Sequence, residues 1–137
     1  MLQKGSKILI VDNSGAKDAV CIHVYGGYKR RYAYLGNKIL VTVKKKKRIK
    51  LKGSKRKQTT KPKQNVKKGM VLKAVLLETK KGIVKYSDDI LNFKRNTGVL
   101  LSDKQKFFGT RIFTPVPTLF RKTGFARLMF MARGRIR

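Results

Sequence analysis

The chain has 137 residues, and its 36 lysines and arginines stand against 6 acids, a formal net charge of +30. Such self-repulsion marks a protein that lies against a polyanion, with nucleic acid the leading partner class. A hydrophobic content of 41% supports a modest core, which excludes a disordered basic tail, and no run approaches the roughly 20 apolar residues of a membrane-spanning helix.

In chain order, residues 1–6 run straight into an apolar strand ending at Val11, which leaves no room for a signal or transit peptide. Asp12-Asn13-Ser14-Gly15 reads as a turn. The further acids of a calcium loop are missing, but the backbone N–H groups and small side chains of such a turn suit a phosphate. A second strand over 19–25 carries Cys21 and His23 on alternate positions, hence on one face, about 7 Å apart. With a single Cys and a single His in the chain, no three- or four-ligand metal site can be completed around them. Both are read as packing or surface residues, and the lone cysteine fits a reducing compartment.

Gly26-Gly27 forms the next turn, followed by Tyr28, Lys29, Arg30 and Arg31, then a strand over 39–43. Residues 44–65 contain no acid and are more than half basic. They are expected to form a long insertion, disordered when free and ordered on phosphates. Strands follow at 71–77 and 99–101, with a β-ribbon over 82–93 whose arms flank Ser87-Asp88-Asp89. Residues 118–132 suggest one or two short helices, and 133–137 a basic tail. The fold class is therefore mainly β, a small five-stranded β-barrel with a projecting β-ribbon and short C-terminal helices.

The chemistry-bearing pattern is basic residues interleaved with aromatics, in Tyr25, Tyr28, Lys29, Arg30, Arg31, Tyr32 and Tyr34, and again in Phe107, Phe108, Arg111 and Phe113. Cationic groups grip phosphates while rings stack on bases or sugars. Phe108 and Phe113 are expected to be half-buried barrel residues instead. The one adjacent acidic pair, Asp88-Asp89, sits at an exposed tip where nothing shifts its pKa. No Walker loop or dinucleotide fingerprint is present, so neither an enzyme nor a cofactor is expected.

Asp12-Asn13-Ser14-Gly15-Ala16, Cys21-Ile22-His23-Val24-Tyr25-Gly26-Gly27, Arg30-Arg31-Tyr32-Ala33, Val66-Lys67-Lys68-Gly69-Met70-Val71-Leu72-Lys73-Ala74-Val75 and Gly109-Thr110-Arg111-Ile112-Phe113-Thr114-Pro115-Val116 stand in an order and spacing that closely resemble the ribosomal protein L-fourteen family of the large subunit. The resemblance implies a single barrel domain over 1–132, with the basic insertion at 44–65 and the tail at 133–137. It implies a structural, non-catalytic protein of translation that binds large-subunit rRNA, packs beside neighbouring large-subunit proteins and bridges to small-subunit rRNA. In many bacteria and organelles a ribosome-silencing factor docks on the same face.

Carried onto this sequence, rRNA contact falls on Asn13, Ser14, Lys29, Arg30, Arg31 and Arg111, and bridge contact on Arg121, Lys122 and Arg127. The expanded arm replaces the short connector of the family and adds Lys44, Lys45, Lys46, Lys47, Arg48, Lys55, Arg56 and Lys57 as rRNA contacts. Two other departures are Asp88 where the family has a glycine in the ribbon turn, and an arginine-rich tail where it has an acid. Lysine in excess over arginine, abundant Ile, Asn, Tyr and Phe, and the expanded arm favour a mitochondrial ribosome, with a plastid or bacterial cytoplasm as alternatives. A free nucleoid-type or RNA-chaperone protein is the rival functional class.

Overall fold

The computed structural model describes residues 1–47, 66–81, 83–84, 90–102, 104 and 106–136. In chain order the strands are β1 (Leu2–Gln3), β2 (Lys7–Ile10), β3 (Ala16–Val24), β4 (Tyr32–Ala33), β5 (Lys38–Lys46), β6 (Val71–Glu78), β7 (Ile83–Val84), β8 (Ile90–Leu91), β9 (Thr97–Leu101), β10 (Val116–Pro117) and β11 (Arg135–Ile136). A 3-10 turn at Thr118–Arg121 and the helix α1 (Ala126–Met131) lie between the last two.

Strands β2, β3, β5, β6 and β9 close into a barrel in that order. The expected five-stranded architecture is thus observed, and each expected apolar run supplies one strand. All barrel neighbours are antiparallel except β2 and β9, whose parallel pairing at Leu9–Thr97 and Ile10–Gly98 closes the circle. Closure removes the open edges that a sheet this small would otherwise expose. Alternation sends Ala19, Cys21, Ile39, Val41, Leu72, Ala74 and Leu76 inward, where they join Ile8, Ile10 and Leu100 in one core.

Strand β9 does not alternate, because all five of its residues are buried. A strand reads this way when both faces are covered. Val99 and Leu101 pack with Val75 and Leu77 of β6 into a second cluster outside the barrel, capped by Phe120 of the 3-10 turn and by Leu128 and Met129 of α1. Of the one or two short helices expected over 118–132, the structure shows a 3-10 turn and one α-helix, which together form a lid on β6 and β9. The C-terminal end of that lid is tied by backbone bonds from Ile112 N–H to the Met131 carbonyl at 2.8 Å and from Arg133 N–H to the Ile112 carbonyl at 3.2 Å.

Three local features differ from expectation. Cys21 and His23 do not share a face, because β3 shifts register against β5 between them. That bulge buries Cys21, while His23 is exposed and stands edge-on to Tyr25 at 5.5 Å. Lys44, Lys45 and Lys46 are not loop but the last residues of β5, where Lys45 pairs with Asp18 and Lys46 with Ala16. Charged side chains are no obstacle there, since all three point to solvent while their backbone completes the ladder.

Phe113 is 54% exposed and belongs to neither core cluster. The 111–116 segment alternates with Ile112, Thr114 and Val116 buried, so Phe113 faces outward. Phe108 does pack against the barrel core, as expected. The tail residues Arg135–Ile136 pair in parallel with Val116–Pro117, so this part of the tail is tied to the body. The expected ribbon is seen as the antiparallel pair β7–β8. Its Asp88-Asp89 tip lies outside the described residues.

Candidate nucleic-acid interface

The turn at Asp12-Asn13-Ser14-Gly15 is organised from the inside. Asp12 is fully buried, and its carboxylate accepts the Ser14 N–H at 2.9 Å, the Ser14 hydroxyl, and the Leu100 N–H at 3.0 Å. Asn13 is exposed, yet its Oδ1 accepts the Thr110 N–H at 2.7 Å and the Arg111 N–H at 3.2 Å, while Nδ2 donates to Thr110 Oγ1 at 2.9 Å. Gly109 allows this approach, because a Cβ there would lie 2.7 Å from Asp12 Cβ and 2.8 Å from Asn13 Oδ1. Asn13 thus fixes the backbone from which Arg111 projects to solvent.

The end of β5 joins the same corner. Lys47 N–H donates to the Gly15 carbonyl at 2.8 Å, and Lys47 Nζ donates to the Asp12 carbonyl at 3.0 Å while lying 5.0 Å above the Phe113 ring. Asn13, Ser14, Lys46, Lys47 and Arg111, predicted from distant parts of the sequence, are therefore brought to one corner of the barrel. Beside them an open groove is lined by apolar Leu9, Ile10 and Val11, by the cations Lys17, Lys44, Lys45, Lys46, Lys47, Lys68 and Arg95, and by Phe113 and Thr114. Among the described residues no carboxylate lines it. The ion pair from Lys45 to Asp18 nearby spans 4.0 Å with its lysine 73% exposed, so solvent screening leaves it weak. A groove with only positive walls focuses potential onto a phosphate chain.

The 28–31 loop leaves the other end of β3, whose nine residues span at most about 26 Å. Gly26 (φ +127) makes its turn, and a Cβ there would lie 2.1 Å from Arg30 Nη1. Arg30 is largely occupied within the protein, donating from Nε to the Tyr32 carbonyl at 3.3 Å and from Nη2 to Asn37 Oδ1 at 3.0 Å. It buckles the loop. Lys29 and Arg31 are exposed, Tyr28 is 92% exposed, and the Lys29 ammonium lies 5.3 Å from the Tyr28 ring centre.

Arg121, Lys122 and Arg127 are each exposed as well, on the 3-10 turn, the residue that follows it and α1. Arg48, Lys55, Arg56 and Lys57 lie outside the described residues.

Sequence reasoning missed Lys17, Lys68, Arg95, Phe113 and Thr114. The outward placement of Phe113 was readable from the alternation with Ile112, Thr114 and Val116. The gathering of Lys17, Lys68 and Arg95 was not, since closure of the barrel alone unites them. Burial pushes the Cys21 thiol pKa up against a weak bond to the His23 carbonyl, which leaves it unreactive. Glu78, buried beside the groove cation Arg95, is likewise pushed up by desolvation, opposed by a 2.8 Å hydrogen bond from Thr97 Oγ1 and by the Arg95 charge. Among the described residues no three His, Cys, Asp or Glu side chains gather as a metal site. A family model described as Ribosomal protein L14p/L23e matches residues 1–136.

Proposed function

The chain belongs to the ribosomal protein L14p/L23e family, structural proteins of the large ribosomal subunit that serve translation, and on that premise we propose that its basic corner binds large-subunit rRNA. The observation that carries this reading is the groove between β3, β5 and the 111–116 segment, whose charged lining among the described residues is seven cations. The barrel holds these cations in a fixed array, so phosphates that would repel one another are neutralised at set positions. Lys29, Arg31 and Tyr28 give a second rRNA contact at the far end of β3. The basic segment over 48–65, which follows β5 in the chain, adds a third.

In the same reading, Arg121, Lys122 and Arg127 form the bridge to small-subunit rRNA, other faces of the barrel meet neighbouring large-subunit proteins, and a ribosome-silencing factor docks at the bridge face. The lysine-rich, tryptophan-free composition favours a mitochondrial ribosome over a plastid or bacterial one.

Sedimentation of an extract through a sucrose gradient tests the proposal. The chain is expected to travel with large subunits and monosomes at moderate salt, and to leave them as salt rises, with a log-log slope of about 0.9 per duplex phosphate neutralised. A chain that stays at the top of the gradient or follows DNA returns the free nucleic-acid-binding alternative.

A further inference from the structure

Among the described residues Phe113 is the one aromatic ring lining the cationic groove. A lone exposed phenylalanine signifies little, but this one is held in place. Its N–H donates to the Val11 carbonyl at 2.9 Å, and its neighbours Ile112 and Thr114 are both buried, so the ring is displayed by a fixed backbone. Lys47 lies 5.0 Å from the ring centre and is itself anchored on the Asp12 carbonyl. The ring therefore has a cation held over one face and 54% of the residue open to solvent.

A second observation is independent of the first. Thr114, 92% buried on the same groove, has the one buried side-chain polar atom without a hydrogen-bond partner among the described residues, its Oγ1. Such an orphan is uncommon in a folded protein. The hydroxyl is closed off from solvent, so it adds polarity to the groove wall and makes no direct contact with a ligand.

We propose that this groove is a single-strand RNA site, in which an unpaired base stacks on Phe113 and its flanking phosphates lie against the surrounding lysines and Arg95. The proposal rests on the rRNA reading above and adds the form of the RNA. A duplex buries its base faces in its own stack and offers none to Phe113, whereas an unpaired nucleotide has a free face. Every base has one, so the site selects strandedness and not sequence.

The test uses the full chain and fluorescence anisotropy with two labelled probes, an oligouridylate of about ten nucleotides and the same strand annealed to oligoadenylate. Phe113→Leu keeps apolar bulk and removes the ring. It is expected to bind the single strand about tenfold more weakly, to bind the duplex as the parent does, and to leave the salt slope unchanged. Phe113→Tyr is expected to bind like the parent, which guards against a folding defect as the cause. Arg95→Gln is expected to weaken both probes and to reduce the single-strand salt slope by about 0.7.

Equal losses on both probes for Phe113→Leu, or no loss on the single strand, overturn the proposal. If the parent chain still sediments with large subunits in that case, the ribosomal reading stands and only the stacking site fails. A parent chain that does not sediment with them removes the ribosomal reading itself.

Discussion

A single buried carboxylate, Asp12, ties three distant segments together. Its oxygens accept the Ser14 amide and hydroxyl and the Leu100 amide, while its backbone carbonyl receives the Lys47 ammonium. The first bond shapes the turn, the Leu100 bond pins it to β9, and the Lys47 bond draws in the end of β5. Asp12→Ala strands the buried Leu100 N–H and leaves the half-buried Ser14 N–H without its partner. Hydrogen bonds to an ionised group contribute more than neutral ones, so the expected loss is about 3 kcal/mol. In a urea titration this appears as a lower midpoint with an unchanged slope. A loss below about 0.5 kcal/mol, the level of an ordinary surface substitution, rejects the role given to Asp12. Asn13 stands next in the same arrangement. Its amide carbonyl holds the Thr110 and Arg111 N–H groups, so this exposed residue acts on the corner chiefly through the position it gives Arg111.

At the level of elements, the C-terminal segment is a lid whose last strand closes a short ladder. Strand β11 pairs with β10, and the Val116 N–H donates to the Gly134 carbonyl at 2.9 Å. Removing residues 134–137 takes away these partners while leaving the five barrel strands and the Leu128 and Phe120 contacts intact. The expected outcome is faster hydrogen exchange at Val116, with exchange in β3, β5 and β6 unchanged. Acceleration across the whole barrel would show instead that the tail is part of one cooperative unit. These elements also show what the sequence could tell. The barrel strands were readable because each is a short apolar run between turn residues. The opposite facing of Cys21 and His23 was not, because a bulge obeys no alternation rule. The strand character of Lys44, Lys45 and Lys46 was hidden because backbone pairing with Ala16 and Asp18, not side-chain burial, holds them. The groove escaped notice for a topological reason: Lys17, Lys68, Arg95 and Phe113 are far apart in the chain, and meet only when β2 closes on β9.

For the whole molecule, a net charge of +30 sets folding and binding against each other in their response to salt. Free in solution, the folded chain packs its cations closer together than the unfolded chain does. The groove alone gathers seven of them among the described residues. Screening weakens this repulsion, since the Debye length falls from about 10 Å at 0.1 M to 3 Å at 1 M. Added salt is therefore expected to raise the melting temperature of the free protein, by about 5 °C between roughly 0.05 and 0.5 M sodium chloride. The same salt should weaken RNA binding, because phosphate neutralisation releases fewer counterions' worth of free energy as the bulk fills with them. A short RNA at low salt should replace the screening and raise the melting temperature in proportion to its occupancy, as any ligand of the native state does. Differential scanning of the free and RNA-bound chain across a salt series reads both trends together. Opposite slopes are the signature of a fold completed by a polyanion. A free chain whose melting is indifferent to salt would mean that its cations lie too far apart to strain the barrel, and that the charge serves binding alone.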